Sequence, residues 1–228
     1  IFGDGGADFL FGDSGCIDGA PDVLPTAAAV ANASVGTGVL AGGGNDILFG
    51  GTGDDFIFGG ADLDTLFGDA GDDILFVDYG QALFAAGLVR TVNTTSPGSG
   101  DDDEISGGDG ADLIFGGEGG DSLFGNAGSD TIFGDHGTAA RNSAENDAES
   151  TQKGVGGADT ISGGTGADTI VGGTAGDTIH GDEDERDFLL PAHHLTTHGC
   201  IFGMTGSGKT GLLFVMVEEA LAAGVPVL

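Results

Sequence analysis

A nine-residue repeat constrains this chain more than any other feature. The segments GGTGDDFIF (Gly50–Phe58) and GGDGADLIF (Gly107–Phe115) are copies of one pattern, G-G-x-G-x-D-x-U-x, with U a large aliphatic residue. A short fixed period of this kind belongs to stacked, quasi-one-dimensional architectures in which each repeat packs on its neighbours. In this frame the sixth position holds Asp8, Asp46, Asp55, Asp64, Asp73, Asp103, Asp112, Asp121, Asp130, Asp159, Asp168 and Asp177. The eighth holds Leu10, Leu48, Ile57, Leu66, Leu75, Ile105, Ile114, Leu123, Ile132, Ile161, Ile170 and Ile179.

Each part of the pattern has a physical reading. Glycines permit positive φ and the close approach of carbonyl oxygens. One large aliphatic residue per repeat predicts a very short strand with a single inward side chain, so the remainder must turn. Turns rich in carbonyl oxygen, each with a carboxylate at a fixed place, suit a hard cation with many oxygen ligands, whereas zinc would ask for His or Cys. Charge points the same way: 37 acidic residues against five Lys and Arg give a net charge of -32. Such a surface repels phosphate, which excludes nucleic acid as a partner of the repeats and leaves calcium ions as the natural one. With 39% of residues hydrophobic, the chain is not wholly disordered.

These repeats resemble the RTX family of calcium-binding nonapeptide repeats. The resemblance implies a right-handed parallel β-roll with two repeats per coil, Ca2+ held in the turns by the sixth-position aspartates, and an extracellular or cell-surface setting. It also implies stacked turns that pair Asp46 with Asp64, Asp55 with Asp73, Asp103 with Asp121, Asp112 with Asp130, and Asp159 with Asp177. Asp168 would have to pair with the turn beginning at Gly181, where Arg186 replaces the aspartate, so a weak or vacant last site is expected there. Phe recurs at the ninth position, as Phe11, Phe49, Phe58, Phe67, Phe76, Phe115, Phe124 and Phe133, and gives way to Ser162, Val171 and His180 in the third block. Stacked on successive coils, these rings would form aromatic ladders on the roll surface.

The frame fails near residues 17–40, 77–97 and 138–153, which are expected to be loops or small lobes on an interrupted roll spanning residues 1–187. QALFAAGLVRTV in the second break suits a helix or strands, and TAARNSAENDAESTQK in the third reads as a polar, solvent-exposed excursion. His136 and His180 have no companions at ligand spacing and read as surface residues. Cys16 and Cys200 stand in dissimilar contexts and indicate neither a disulfide framework nor a zinc site.

A different signal closes the chain. GMTGSGKT (Gly203–Thr210) follows an apolar GCIF, suited to a buried strand, and precedes GLLFVMVEEALAAG, which reads as a helix ending at Gly224 before VPVL starts another strand. Strand, glycine loop and helix N-terminus in this order form a phosphate-binding loop. Its candidate nucleotide-binding residues are Gly203, Gly206, Ser207, Gly208, Lys209, Thr210 and Gly211. In that set backbone amides cradle phosphate, Lys209 neutralises it and the Thr210 hydroxyl ligates magnesium. The stretch from about Leu189 to Leu228 resembles the start of the ATPase core of HerA/FtsK-like motor proteins, which implies ATP and Mg2+ as its ligands and a cytoplasmic setting. No Walker B acidic residue follows before Leu228, so residues 188–228 are expected to be a truncated α/β P-loop fragment that does not hydrolyse ATP by itself. His193, His194 and His198 read as the entry to that fold.

Three functional classes are therefore in view. The first is a calcium-binding structural module, mainly β, of a secreted or surface RTX-type protein, folding when calcium binds. The second is an ATP-dependent motor carrying an acidic repeat domain; because the two halves ask for opposite compartments, a fusion or mis-joined chain belongs beside it. The third is an RTX enzyme, but neither H-E-x-x-H nor G-x-S-x-G is present to supply an active site. A chain that opens inside a repeat at Ile1 is expected to be part of a larger parent, and no apolar run is long enough to span a bilayer.

Overall fold

The structure is a computed structural model that describes residues 1–13, 15–18, 34–37, 43–85, 88–95, 100–141, 146–151 and 155–180. Within them the chain forms a parallel roll. The first sheet runs β1 (Phe9–Phe11), β5 (Phe56–Phe58), β7 (Ile74–Phe76), β11 (Leu113–Phe115), β13 (Thr131–Phe133) and β17 (Thr169–Val171), in that spatial order. The second runs β4 (Ile47–Thr52), β6 (Thr65–Ala70), β10 (Glu104–Asp109), β12 (Ser122–Ala127), β16 (Thr160–Thr165) and β18 (Thr178–His180). Successive repeats alternate between the sheets, so each strand pairs with the one two repeats on. Ile57 lies beside Leu75, and Leu75 beside Ile114 although an insertion separates them. The expected interrupted parallel β-roll is the fold observed.

One inward side chain per strand builds the core between the sheets. Leu10, Leu48, Ile57, Leu66, Leu75, Ile105, Ile114, Leu123, Ile132, Ile161 and Ile170 are buried together, with Ile179 packed against them. Each such burial contributes about 1.5–3 kcal/mol, which sets the register strongly because a one-residue slip would turn every one of these side chains outward.

The outer faces differ. On the second sheet, Ile47, Glu104, Thr160 and Thr178 are exposed. On the first, Phe56, Phe58, Ile74, Phe76, Leu113, Phe115, Phe133 and Val171 are buried. Their cover is a third, antiparallel sheet made from β2 (Gly15–Asp18), β3 (Ser34–Thr37), β8 (Gly80–Ala85), β9 (Leu88–Thr94), β14 (Gly137–Arg141) and β15 (Asn146–Ser150), in the order β15-β14-β9-β8-β3-β2. Its Ala82, Val92 and Ala139 join the phenylalanines in one cluster. Gly80 and Gly137 approach so closely that a Cβ on either would strike the ring of Phe76 or Phe133.

Three expectations are corrected by this sheet. The described segments of the three breaks are not separate lobes; they assemble into one sheet on one face. Of the two alternatives for QALFAAGLVRTV, strands are observed: it contributes to β8 and β9, an antiparallel pair with an irregularity between Leu83 and Phe84. The excursion at TAARNSAENDAESTQK contributes β14 and β15, and Ala139 is buried while Thr138 and Ala140 on either side are half-buried, the alternation of a covering strand. The phenylalanine ladder of the first sheet is accordingly interior, not on the roll surface. Phe11, Phe58, Phe76, Phe115 and Phe133 stack at centroid separations of 4.7 to 5.1 Å. Phe2, Phe49 and Phe67 form the outer stack on the second sheet, which ends where Ser106 lies beside Phe67.

Among the described residues no helix is long and apolar enough to cross a membrane. The strand, loop and helix expected over residues 188–228, and the turn bearing Arg186, lie outside the described residues. The two outer faces separate in a test: Phe115→Ala in the buried ladder should cost about 3–5 kcal/mol, measured by urea unfolding in calcium. Phe67→Ala on the open face should cost less than half as much.

Candidate metal sites

The turns place all twelve sixth-position aspartates in two columns, one along each edge of the roll. In the first column the backbone N–H of each aspartate donates to Oδ1 of the aspartate one coil on: Asp46 to Asp64, Asp64 to Asp103, Asp103 to Asp121, Asp121 to Asp159 and Asp159 to Asp177, at 2.6 to 3.2 Å. In the second, Asp8 donates to Asp55, Asp55 to Asp73, Asp73 to Asp112, Asp112 to Asp130 and Asp130 to Asp168, at 2.7 to 2.9 Å. The expected pairs are all brought together, and the columns also run across every insertion.

The other carboxylate oxygen is left over. Oδ2 of Asp8, Asp55, Asp64, Asp73, Asp103, Asp112, Asp121 and Asp159 is buried with no hydrogen-bond partner. Except at Asp103, whose turn opens on Val77, it faces a gap beside the glycine that opens its turn. A Cβ on Gly50 would stand 2.6 Å from Asp55 Oδ2 and 2.6 Å from the Gly68 carbonyl oxygen of the next coil. The same carboxylate-plus-carbonyl surroundings recur at Gly59, Gly68, Gly107, Gly116 and Gly134. Within the turns Gly110, at φ 135°, adopts a conformation closed to residues with a Cβ.

Such a gap, lined by oxygen and closed to any side chain but glycine's, fits a hard cation. Among the described residues no three His, Cys, Asp or Glu side chains gather around one point. A cation here would therefore take its carboxylate from the column and complete its shell with backbone carbonyls.

Burial, reinforced by neighbouring carboxylates and only partly offset by the ladder hydrogen bond, pushes Asp64, Asp73, Asp103 and Asp159 up to about 7. By the same causes Asp112 rises to about 6 and Asp121 to about 9, and Asp55 is also raised. Five Lys and Arg against 37 acidic residues are too few to neutralise the columns from within.

His136 is not the surface residue expected. It is 2% exposed, with Nε2 3.7 Å from Glu118 Oε1, and burial lowers its imidazole against the pull of that carboxylate. The reason is its place at the root of an insertion, where the chain turns under the third sheet. His180 is exposed, as expected. Sequence reasoning also passed over Asp13, Asp78 and Asp135, whose carboxylates accept backbone N–H groups of the following turns. The signal was present as FGDSG, FVDYG and FGDHG, one before each break. Gly203, Gly206, Ser207, Gly208, Lys209, Thr210 and Gly211 lie outside the described residues.

The family described as RTX calcium-binding nonapeptide repeat (4 copies) matches residues 1–15, 40–75, 97–132, 115–138 and 153–185, together more than half of the chain. A second family, described as Helicase HerA, central domain, matches residues 179–228. Among curated proteins no match is found.

The raised carboxyls set a pH dependence with a definite sign. A group raised from 3.8 to between about 6 and about 9 binds more protons in the folded than in the unfolded chain across that window. Its stabilising contribution is complete below the unfolded value and is lost as pH rises through the folded one. In chelator the roll should therefore give more β-structure by circular dichroism at pH 5 than at pH 8, and calcium should flatten that dependence.

Proposed function

Because the chain belongs to the RTX calcium-binding nonapeptide repeat family, we propose that residues 1–187 are a calcium-binding structural module of a secreted or surface protein that completes its folding when calcium enters the turns. The observation that carries this reading is the row of buried Oδ2 atoms without partners. The ligands are Asp8, Asp46, Asp55, Asp64, Asp73, Asp103, Asp112, Asp121, Asp130, Asp159, Asp168 and Asp177, each with carbonyls of its own and the adjoining turn.

Calcium when bound supplies the positive charge that lets stacked carboxylates remain ionised out of water. The chain's own part is geometric. The ladder hydrogen bonds hold Oδ1 of every column aspartate after Asp8 and Asp46, and so aim Oδ2 at the gap. The first glycine of the turn keeps that gap open at every turn but the one that opens on Val77, and the carbonyl on its far side comes from the next coil. A ligand shared by the two ties the coils together, so binding energy becomes folding energy. Affinity of about 0.1–1 mM is the range of extracellular calcium modules, which suits a protein that orders after leaving the cell.

The match over residues 179–228 favours a second reading for the last residues. In it Gly203, Gly206, Ser207, Gly208, Lys209, Thr210 and Gly211 bind ATP with Mg2+ as the opening of a HerA-like motor domain, completed by the remainder of a larger parent chain. A genomic reading frame that runs on into a Walker B strand supports this; one that stops or changes frame at the junction contradicts it.

For the module itself, stepwise addition of calcium to the metal-free chain should convert a weakly structured circular dichroism spectrum into that of a β-protein. An identical folded spectrum with and without calcium contradicts the reading. Gly107→Ala narrows the gap beside Asp112 Oδ2 without demanding an unusual φ. It should shift the calcium midpoint upward by several-fold, and an unchanged midpoint would count against that gap as a site.

A further inference from the structure

Along the edge that leads into the second sheet, the second position of the turns alternates between glycine and aspartate. Uninterrupted turns carry Gly60, Gly117 and Gly173, at φ 130°, 101° and 109°. The turns from which the insertions leave carry Asp13, Asp78 and Asp135. Each carboxylate occupies the space that the next turn's glycine leaves open; a Cβ on Gly60, for instance, would stand 2.5 Å from Asp13 Oδ2.

The aspartates differ in how far the protein satisfies them. Asp135 accepts the Gly157 N–H at 3.0 Å, the Thr174 hydroxyl at 2.8 Å and the Thr174 N–H. Both its oxygens are engaged. Asp78 accepts only the Glu118 N–H, at 2.7 Å to Oδ2, among the hydrogen bonds of the described residues. Its Oδ1 is buried without a partner, on a residue 4% exposed. Both oxygens of the carboxylate lie against Gly100, where the chain returns from the insertion. A Cβ on Gly100 would strike Asp78 Oδ2 first, and would stand 2.6 Å from Oδ1 and 2.6 Å from the Glu118 carbonyl oxygen. This is the same carboxylate-plus-carbonyl gap under a glycine that recurs along the two columns, built from a residue outside the repeat pattern.

We propose that the interrupted turn at Asp78 holds a divalent cation of its own, calcium in class, with the Asp78 carboxylate and the Glu118 carbonyl among its ligands. The inference rests on the reading of the roll as a calcium module. Its consequence is local: Asp78 stands where the chain departs and Gly100 where it returns. A cation between them closes the loop that carries β8 and β9, and so couples binding to the seating of the third sheet on the phenylalanine ladder. Nearby Asp64, Asp103 and Glu118 place further negative charge around Asp78, which favours a cation over a water molecule in the gap.

The chain offers a built-in reporter, because Tyr79 is its one tyrosine, it has no tryptophan, and it adjoins Asp78. Terbium used in place of calcium on the full chain should give tyrosine-sensitised emission that calcium competes away. Asp78→Asn keeps an acceptor for the Glu118 N–H, and should weaken the emitting site about tenfold by removing its ligand charge. It should also lower by one the ions bound by the full chain in calorimetry. Asp62→Asn removes an exposed charge on the same edge, at a φ of 65° that Asn tolerates, and should change neither. Unaltered emission and ion number in Asp78→Asn would overturn the inference while leaving the calcium module intact. Were that variant not to fold, terbium bound by the unaltered chain without tyrosine-sensitised emission would overturn it equally. No calcium binding by the unaltered chain would remove the module reading, and this site with it.

Discussion

Each coil of the roll is fastened to the next by the backbone N–H of one aspartate donating to the carboxylate of the aspartate above it. This bond sets the spacing of the turns, aligns the strands and survives three insertions, since Asp64 reaches Asp103 as closely as Asp103 reaches Asp121. A hydrogen bond to a charged group returns about 1.5–3 kcal/mol. Taking a carboxylate out of water costs several kcal/mol, and Oδ2 of Asp8, Asp55, Asp64, Asp73, Asp103, Asp112, Asp121 and Asp159 is buried without a hydrogen-bond partner. The ladder by itself therefore loses, and more so as like charges accumulate along a column. Protonation offsets the deficit at low pH and a cation offsets it at neutral pH. The unmatched oxygens, the glycine gaps and the raised carboxyls are three expressions of that one imbalance.

The aliphatic core depends on the same spacing but is thin, one side chain per strand. The roll gains a second apolar layer on one side only, where Phe58, Phe76, Phe115 and Phe133 stack beneath the third sheet. The insertions all leave from the first sheet's end of a turn, so their strands fall naturally over that sheet's outer face. Gly80 and Gly137 let the departing chain pass against the rings of Phe76 and Phe133. Opposite, the second sheet presents Glu104, Thr160 and Thr178 to solvent and needs no cover.

The columns and the inner core were legible because the repeat carries them locally: an aspartate at the sixth position and an aliphatic at the eighth leave one way to stack. The third sheet was not, because its strands come from three distant segments and pair only after the roll has brought their roots together. Ala82, Val92 and Ala139 are too small and too scattered to make a period. A finer signal did exist at the seventh position, where Phe56, Ile74 and Leu113 alternate with Thr65, Glu104 and Ser122. Over that central stretch the apolar residues of every second repeat mark a face that something must bury, while Ile47 on the open sheet and Thr131 and Thr169 on the covered one break the alternation. Asp78 and His136 were missed for a related reason, since both stand where the repeat gives way and their partners belong to other coils.

Amide hydrogen exchange on the full chain, in calcium and in chelator at neutral pH, tests the central claim most directly. Asp64, Asp73, Asp121 and Asp130 are the residues to follow, because their N–H groups are the ladder donors. If a cation is what offsets the buried carboxylates, these amides are protected together in calcium and exchange rapidly in chelator, on both sides of every insertion. Equal protection of the ladder amides in both conditions would contradict it, and would mean that the columns hold the coils without a metal.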